Sequence, residues 1–416
     1  DPTAGEIGVP EAARQGVGAG AMRRILAACT AETVRASPSP GRDRGMLSLP
    51  PMRILHTESS TGWGGQEIRI LTEAAGMLAR GHAVTLLTPP DAQILPAARE
   101  RGIPAHALPI GRKRFAPLVA LRRWLAEHGR AFDVINTHSS TDSWLAALAC
   151  RTLSGMPPIV RTRHVSTAIG PGPTTRWLYL NATAHIVTTG EALRQRLHVG
   201  NAFPLDHMTS VPTGIDLGYY RAIDRTLARS QLGLPGRPTL GIVATLRDWK
   251  GHAYLLRAFA VLRERFGDWL LLVIGDGPQR DNLENQARSL QLGDAIRFVG
   301  NRDDVPAWLS ALDLFTLPSF GDEGVPQAIM QAMACGLPVV STPVGAIAEA
   351  VDDGRTGVLV KPADDQALID GLARLMGDAE LRARFGAAGR KRAQERFGID
   401  IMLDRMERVF REHGRR

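Results

Sequence analysis

Cysteine is nearly absent from this chain: Cys29, Cys150 and Cys335 are the three among 416 residues. Three scattered thiols build neither a disulfide framework nor a structural zinc site. No uninterrupted apolar run reaches the roughly 18 residues that suggest a membrane-spanning helix. The stretch Ile25–Cys29 is too short, and too poorly flanked, for the apolar region of a signal peptide. No Asp-x-Asp pair stands at the end of a strand pattern; Asp303-Asp304, Asp352-Asp353 and Asp364-Asp365 read as loops or helix caps. The glycine spacing of the dinucleotide fingerprint is missing, as is its acidic residue after the second strand, which argues against a nicotinamide dehydrogenase.

What is present is ordinary in bulk: 44% hydrophobic and 22% charged residues, which excludes wholesale disorder. The length favours two domains. The formal charge is +8 and unevenly spread. Residues 52–217 hold 17 basic and 11 acidic side chains, whereas residues 218–416 hold 27 and 26. The excess predicts an anionic partner for the first half, either phosphorylated or a membrane surface. Residues 1–51, rich in Ala, Gly and Arg, read as a disordered or non-native extension, with Met46 or Met52 as natural starts.

From Met52 the pattern becomes strand, glycine-rich turn, helix, strand. The run Met52–His56 meets the turn Gly62-Trp63-Gly64-Gly65, and a helical period follows through Ile68, Leu71, Ala75 and Leu78. Further strands are expected at 133–137, 158–161, 185–188 and 208–211. After the linker-like segment 232–238 the alternation restarts, with strands at 239–244, 270–274, 296–299, 314–317 and 338–341 and helices between them. The last helical stretch, from Ile401 to Arg411, is amphipathic, with Ile401, Met402, Met406, Val409 and Phe410 on one side. The reading is α/β: two doubly wound Rossmann-like domains facing across a cleft, with ligands at the carboxyl ends of the strands. Two facing domains place two ligands together, which suits a transfer reaction.

Five motifs carry the chemistry. Gly64-Gly65-Gln66-Glu67 opens a helix, where exposed N–H groups favour anions. Thr245–His252 places Arg247 and Lys250 between a strand and a helix, a clamp for a pyrophosphate. Gly275-Asp276-Gly277-Pro278 is a tight turn beside the same cleft. The acidic loop from Gly321 to Pro326 precedes a helix of small residues and a buried strand, with Glu323 able to accept hydrogen bonds. Arg161-Thr162-Arg163-His164 follows a strand in the first half.

Together with Val211–Asp216 and Phe298-Val299-Gly300, these motifs resemble family 4 glycosyltransferases of the GT-B fold, from Met52 to the C-terminus. The resemblance implies retaining, metal-independent transfer of a sugar from a nucleotide sugar, UDP- or GDP-linked, with no cofactor. It implies an acceptor-binding domain at 52–217, a donor-binding domain at 218–398, and a terminal helix at 399–416 that crosses back. His164 and Glu323 are then the candidate catalytic residues. Gly65, Arg247, Lys250, Gly275, Phe298, Val299, Glu323, Gly324, Val325, Pro326 and Gln331 are candidate donor contacts, and Gly64, Gln66, His138 and Arg163 candidate acceptor contacts. Two positions depart from the family pattern. Gln331 stands where a ribose-binding glutamate is usual, and Thr245 where an arginine is usual; Arg247 is expected to supply that cation.

The acceptor is expected to be a glycan or lipid-linked, as in lipopolysaccharide or capsule synthesis, and not a nucleic acid. Residues 111–130 combine Arg112, Lys113, Arg114, Arg122 and Arg123 with Phe115, Leu118, Val119, Leu121, Trp124 and Leu125, so contact with an anionic membrane is expected of this segment. The protein is placed in the cytoplasm or on the inner face of the cytoplasmic membrane. A nucleotide-sugar epimerase and a catalytically impaired sugar-nucleotide-binding scaffold remain as alternatives.

Overall fold

A computed structural model describes residues 50–415 apart from Ser166 and Asp322. The N-terminal extension, including Cys29, lies outside the described residues but for its last two positions. Thirteen parallel strands follow: β1 (Arg53–Thr57), β2 (Ala83–Thr88), β3 (Ala105–Ala107), β4 (Val134–Thr137), β5 (Ile159–Arg163), β6 (His185–Thr188), β7 (Met208–Ser210), β8 (Thr239–Val243), β9 (Leu270–Ile274), β10 (Ile296–Gly300), β11 (Leu314–Leu317), β12 (Val339–Ser341) and β13 (Gly357–Leu359). They form two sheets, ordered β3-β2-β1-β4-β5-β6-β7 and β10-β9-β8-β11-β12-β13.

Both sheets are covered on two faces by helices; in the second, β9, Leu-Leu-Leu-Val-Ile, is a continuous apolar run buried throughout, whereas the central strands of the first, Arg-Ile-Leu-His-Thr and Val-Ile-Asn-Thr, bury polar residues as well. In each sheet the chain winds outward from the first strand, then returns to pair on that strand's other side. The reversal falls between β1 and β4 in one sheet and between β8 and β11 in the other. Loops leaving such a pair diverge, opening a crevice at the carboxyl ends of the strands. The strands β3 and β13, three residues each, were not evident in the sequence pattern. The first has a weakly apolar run, and the second is framed by charged turns.

The helix Ile399–His413 follows the second sheet in sequence, yet Met402, Leu403, Met406, Val409 and Phe410 are buried in the core of the first. It packs on the helix Gly65–Ala79, where Gly76 leaves room for Leu403. The two crossings between halves run side by side: Ile215 N–H donates to the Phe397 carbonyl at 2.8 Å, and Ile399 N–H to the Ile215 carbonyl at 3.1 Å.

In the helix Phe115–His128, Leu121 and Leu125 are buried, and Leu118 and Trp124 pack against the same core. Most of the apolar face expected to meet a membrane is therefore spent inside. Phe115, 80% exposed, and Val119 remain outside, next to Arg112, Lys113 and Arg114. Among the described residues no helix is long and apolar enough to cross a membrane.

Candidate functional site

A cleft of roughly 1000 Å³ joins the two crevices. One wall carries Ser60, Gly62–Glu67, Ser139, His164 and Val165; the other carries Val243–Thr245, Arg247, Trp249, Lys250, Leu317, Gly321 and Glu323–Ala328.

The second wall is built from loops. After β8 the chain makes a single 3-10 turn, Asp248–Lys250, and ends it at Gly251 with φ 80°. A Cβ there would lie 2.0 Å from the Pro318 carbonyl oxygen, so the position requires glycine and the turn is pressed against the β11 loop. Lys250 Nζ consequently meets Glu323 Oε1 at 2.6 Å, and Ser319 Oγ donates to the same oxygen at 2.8 Å. Gly345, φ 57°, supports this loop from below: a Cβ would sit 1.9 Å from the Glu323 carbonyl oxygen. Arg247 lies over the Trp249 ring, 5.2 Å from its centroid. A lysine, an arginine and the N-terminus of the helix Gln327–Ala334 thus border one region, a setting suited to a diphosphate.

The first wall is built from side chains beneath the strand ends. His56 on β1, His138 just past β4 and His164 just past β5 form a chain: His56 Nδ1 to His138 Nε2 is 2.9 Å, and His138 Nδ1 to His164 Nε2 is 2.9 Å. His56 and His138 are buried, and His164 reaches the cleft. Burial, reinforced by the Arg69 charge, lowers the pKa of His56 and of His164 to about 3. Burial, with the neighbouring histidines and Arg69, lowers that of His138 well below its usual value. All three rings are neutral at physiological pH.

Beside them, Glu58 accepts hydrogen bonds from Ser139 Oγ at 2.5 Å, Ser60 N–H at 2.6 Å and Gln66 Nε2. Burial first, then the charge of Asp142, pushes its pKa up to about 8. Asp142 accepts from Thr57 Oγ1 and from the N–H groups of His138 and Ser139. Deeper still, Arg69 and Glu73 are fully buried and paired at 3.2 Å. Arg69 also donates to the Val211 carbonyl at 2.9 Å, tying the network to the strap between halves.

The halves also touch directly. Gln327 Nε2 donates to the Gly65 carbonyl at 3.2 Å. The Glu349 carboxylate accepts from the N–H groups of Glu191 and Ala192, each at 2.8 Å, and so caps a first-half helix, Glu191–Asn201, from the second half.

Of the residues expected from sequence, the cleft brings together Gly64, Gly65, Gln66, His164, Arg247, Lys250, Glu323, Gly324, Val325 and Pro326. His138 and Arg163 do not line it: His138 lies behind His164, and Arg163 bonds the Tyr179 hydroxyl at 2.9 Å. Gly275, Phe298, Val299 and Gln331 also lie outside the lining; Gln331 bonds the Tyr220 side chain. Sequence reading missed His56, Glu58, Asp142 and Glu349. Each is one polar residue at the end of an element, and only the fold gives it neighbours.

Two parallel-sheet halves meeting at their switch points are the GT-B architecture of glycosyltransferases. Residues 63–219 match the family described as Glycosyltransferase Family 4, and residues 224–392 match Glycosyl transferases group 1. A phosphatidyl-myo-inositol mannosyltransferase of Mycobacterium leprae is 30% identical over 368 residues, covering 83% of this chain and 92% of that protein. A D-inositol 3-phosphate glycosyltransferase of Stackebrandtia nassauensis is 30% identical over 396 residues, covering 84% and 88%. Among solved structures, that of Anabaena Alr3699/HepE in complex with UDP superposes with a TM-score of 0.77 at 21% identity, covering 87% of this chain and all of that one. The chain belongs to glycosyltransferase family 4, and it is a glycosyltransferase.

Proposed function

We propose that the enzyme moves a sugar from a nucleotide-sugar donor, with retention of anomeric configuration and without a metal or cofactor, to a phosphorylated inositol, free or borne on a lipid. The observation that carries this reading is one cleft with Lys250, Arg247 and Glu323 on one wall and His164 with the Gly64-Gly65 turn on the other.

Departure of a nucleoside diphosphate builds negative charge on the outer phosphate. Lys250 and Arg247 oppose that charge where it develops, and the N-terminus of the Gln327–Ala334 helix adds to them. Donor binding frees Lys250 from Glu323, and the released carboxylate accepts from a sugar hydroxyl. Closure of the halves excludes the water that would hydrolyse the donor. Retention rests on the family resemblance.

Two things support the acceptor class. The relatives reported above are named for inositol-bearing acceptors. This chain's own first half carries the basic excess, 17 basic against 11 acidic side chains. Exposed Phe115 beside Arg112–Arg114 further supports contact with an anionic membrane, which flotation with phosphatidylinositol vesicles would read.

The test is incubation with UDP-, GDP- and ADP-sugars and with inositol phosphate or phosphatidylinositol, in chelator, reading the anomeric proton of the product. Transfer with the donor's configuration supports the proposal. Epimer formation, donor binding without turnover, or abolition by chelator would each overturn a named part of it.

A further inference from the structure

The histidine chain runs from the buried centre of the first sheet to the cleft, and no carboxylate interrupts it. In a row of neutral imidazoles each ring carries one proton, so both N–H···N bonds point the same way. Two arrangements exist. In one, His56 Nδ1–H donates to His138, His138 Nδ1–H donates to His164 Nε2, and His164 presents Nδ1–H to the cleft. In the other, every bond is reversed, and His164 presents a bare lone pair.

The buried end decides between them. His56 Nε2 has no hydrogen-bond partner. The reversed arrangement buries an N–H there without an acceptor, and orphaned buried N–H groups are rare. The forward arrangement buries a lone pair instead. Arg69, on the helix Gly65–Ala79, is fully buried, acts on His56 through its charge, and has no hydrogen-bond partner at Nη2. A lone pair is attracted to that guanidinium, whereas an N–H is repelled by it.

We propose that His56 and His138 are positioning residues that hold His164 as the neutral tautomer with its proton on Nδ1. His164 then acts toward the cleft as a fixed hydrogen-bond donor and not as a base. Its partner is an oxygen of the donor, either a sugar hydroxyl or a phosphate oxygen. The tautomer follows from the chain alone; its use in transfer rests on the proposed function.

Nitrogen-15 NMR of histidine-labelled enzyme reads the tautomer directly. The expected result at pH 7 is a protonated Nδ1 and an unprotonated Nε2 for His164; the reverse pattern overturns the proposal, with no variant needed. The pair His138→Asn and His138→Leu tests the chain. An Asn amide can take the place of the imidazole Nδ1–H and donate to His164 Nε2; Leu cannot. His138→Leu is expected to release the His164 proton from Nδ1 into a mixture of both tautomers and to lower kcat about 100-fold with donor KM little changed. His138→Asn should recover both the tautomer and most of kcat. Equal kcat and an unmoved proton in His138→Leu would overturn the positioning role. His164→Ala separates the two readings: full turnover in that variant removes His164 from the transfer reaction, while the wild-type NMR pattern still decides the tautomer.

Discussion

The two crevices solve the same architectural problem with opposite materials. At β8 and β11 the core is apolar, and the chemistry is carried by loops laid over it, on Arg247, Lys250 and Glu323. At β1 and β4 the chemistry reaches down into the sheet, where His56, Glu58, Arg69, Glu73, Asn136, His138 and Asp142 are all buried. Loops over an inert core can be changed with little loss of fold. A buried polar network is part of the fold, because each member left without its partner costs the full penalty of an unsatisfied group.

The sharpest way to break that comparison is Arg69→Met. It strands Glu73 in the interior, with only Asn136 Nδ2 at 3.3 Å to receive it. The expected loss is about 3–5 kcal/mol of stability, read by denaturant unfolding. A loss as small as that of a surface arginine would show the first half to be no more rigid than the second. The mirror experiment is Lys250→Ala. Turnover is expected to fall roughly 100- to 1000-fold, about 2.7–4 kcal/mol, while the unfolding midpoint stays close to wild type. A collapse of stability instead would erase the distinction from the other side.

Glu349→Ala probes the seam between the halves. Losing the cap on Glu191 and Ala192 is expected to cost about 0.5–2 kcal/mol, with a larger radius of gyration in small-angle scattering and a raised donor KM. The gentlest test is Glu58→Gln. The Glu58 pKa is raised on folding, so the folded state holds a proton that the unfolded chain releases near its ordinary value of 4.5. That contribution is fully present below pH 4.5 and is lost as pH rises toward 8. The buried histidines work the other way. Their lowered values make stability fall as pH drops below 6.5. Between pH 6.5 and 8 the histidines no longer contribute, whereas the raised carboxyls Glu58, Asp142 and Glu73 all give the same sign of slope, and Glu58→Gln should make it shallower in thermal melts. An unchanged slope would mean that Glu58 is ionised in the folded protein.

The contrast also explains what could be read from the sequence. Parallel strands buried on both faces are short runs rich in apolar, β-branched and aromatic residues, so 185–188, 270–274 and 314–317 were legible to the residue. The second-half site was legible because a loop keeps its residues adjacent: Arg247 and Lys250 lie in one turn, and Glu323–Pro326 in another. His56, His138 and His164 are 82 and 26 residues apart and become neighbours only through the pairing of β1, β4 and β5. Nothing in their local spacing announces them. Phe298 and Val299 match a family motif, but a motif carries no burial or direction, and both stand outside the cleft lining.

The side-by-side crossings at Ile215 have a consequence for how the molecule can be cut. Gly414 packs against Met52, and Arg415 N–H donates to the Asp133 carbonyl at 2.9 Å, so the last helix ends where the first strand begins. In building terms the second half is an insert in the first. A fragment stopping at Leu217 lacks Met406 and Phe410, the fully buried plug of its own core. Excising 218–397 and joining Leu217 to Gly398, whose neighbours already touch, would give a first half with its core intact. Joining residue 415 to residue 52 instead, and opening the chain near 217, would give a circular permutant with the same packing.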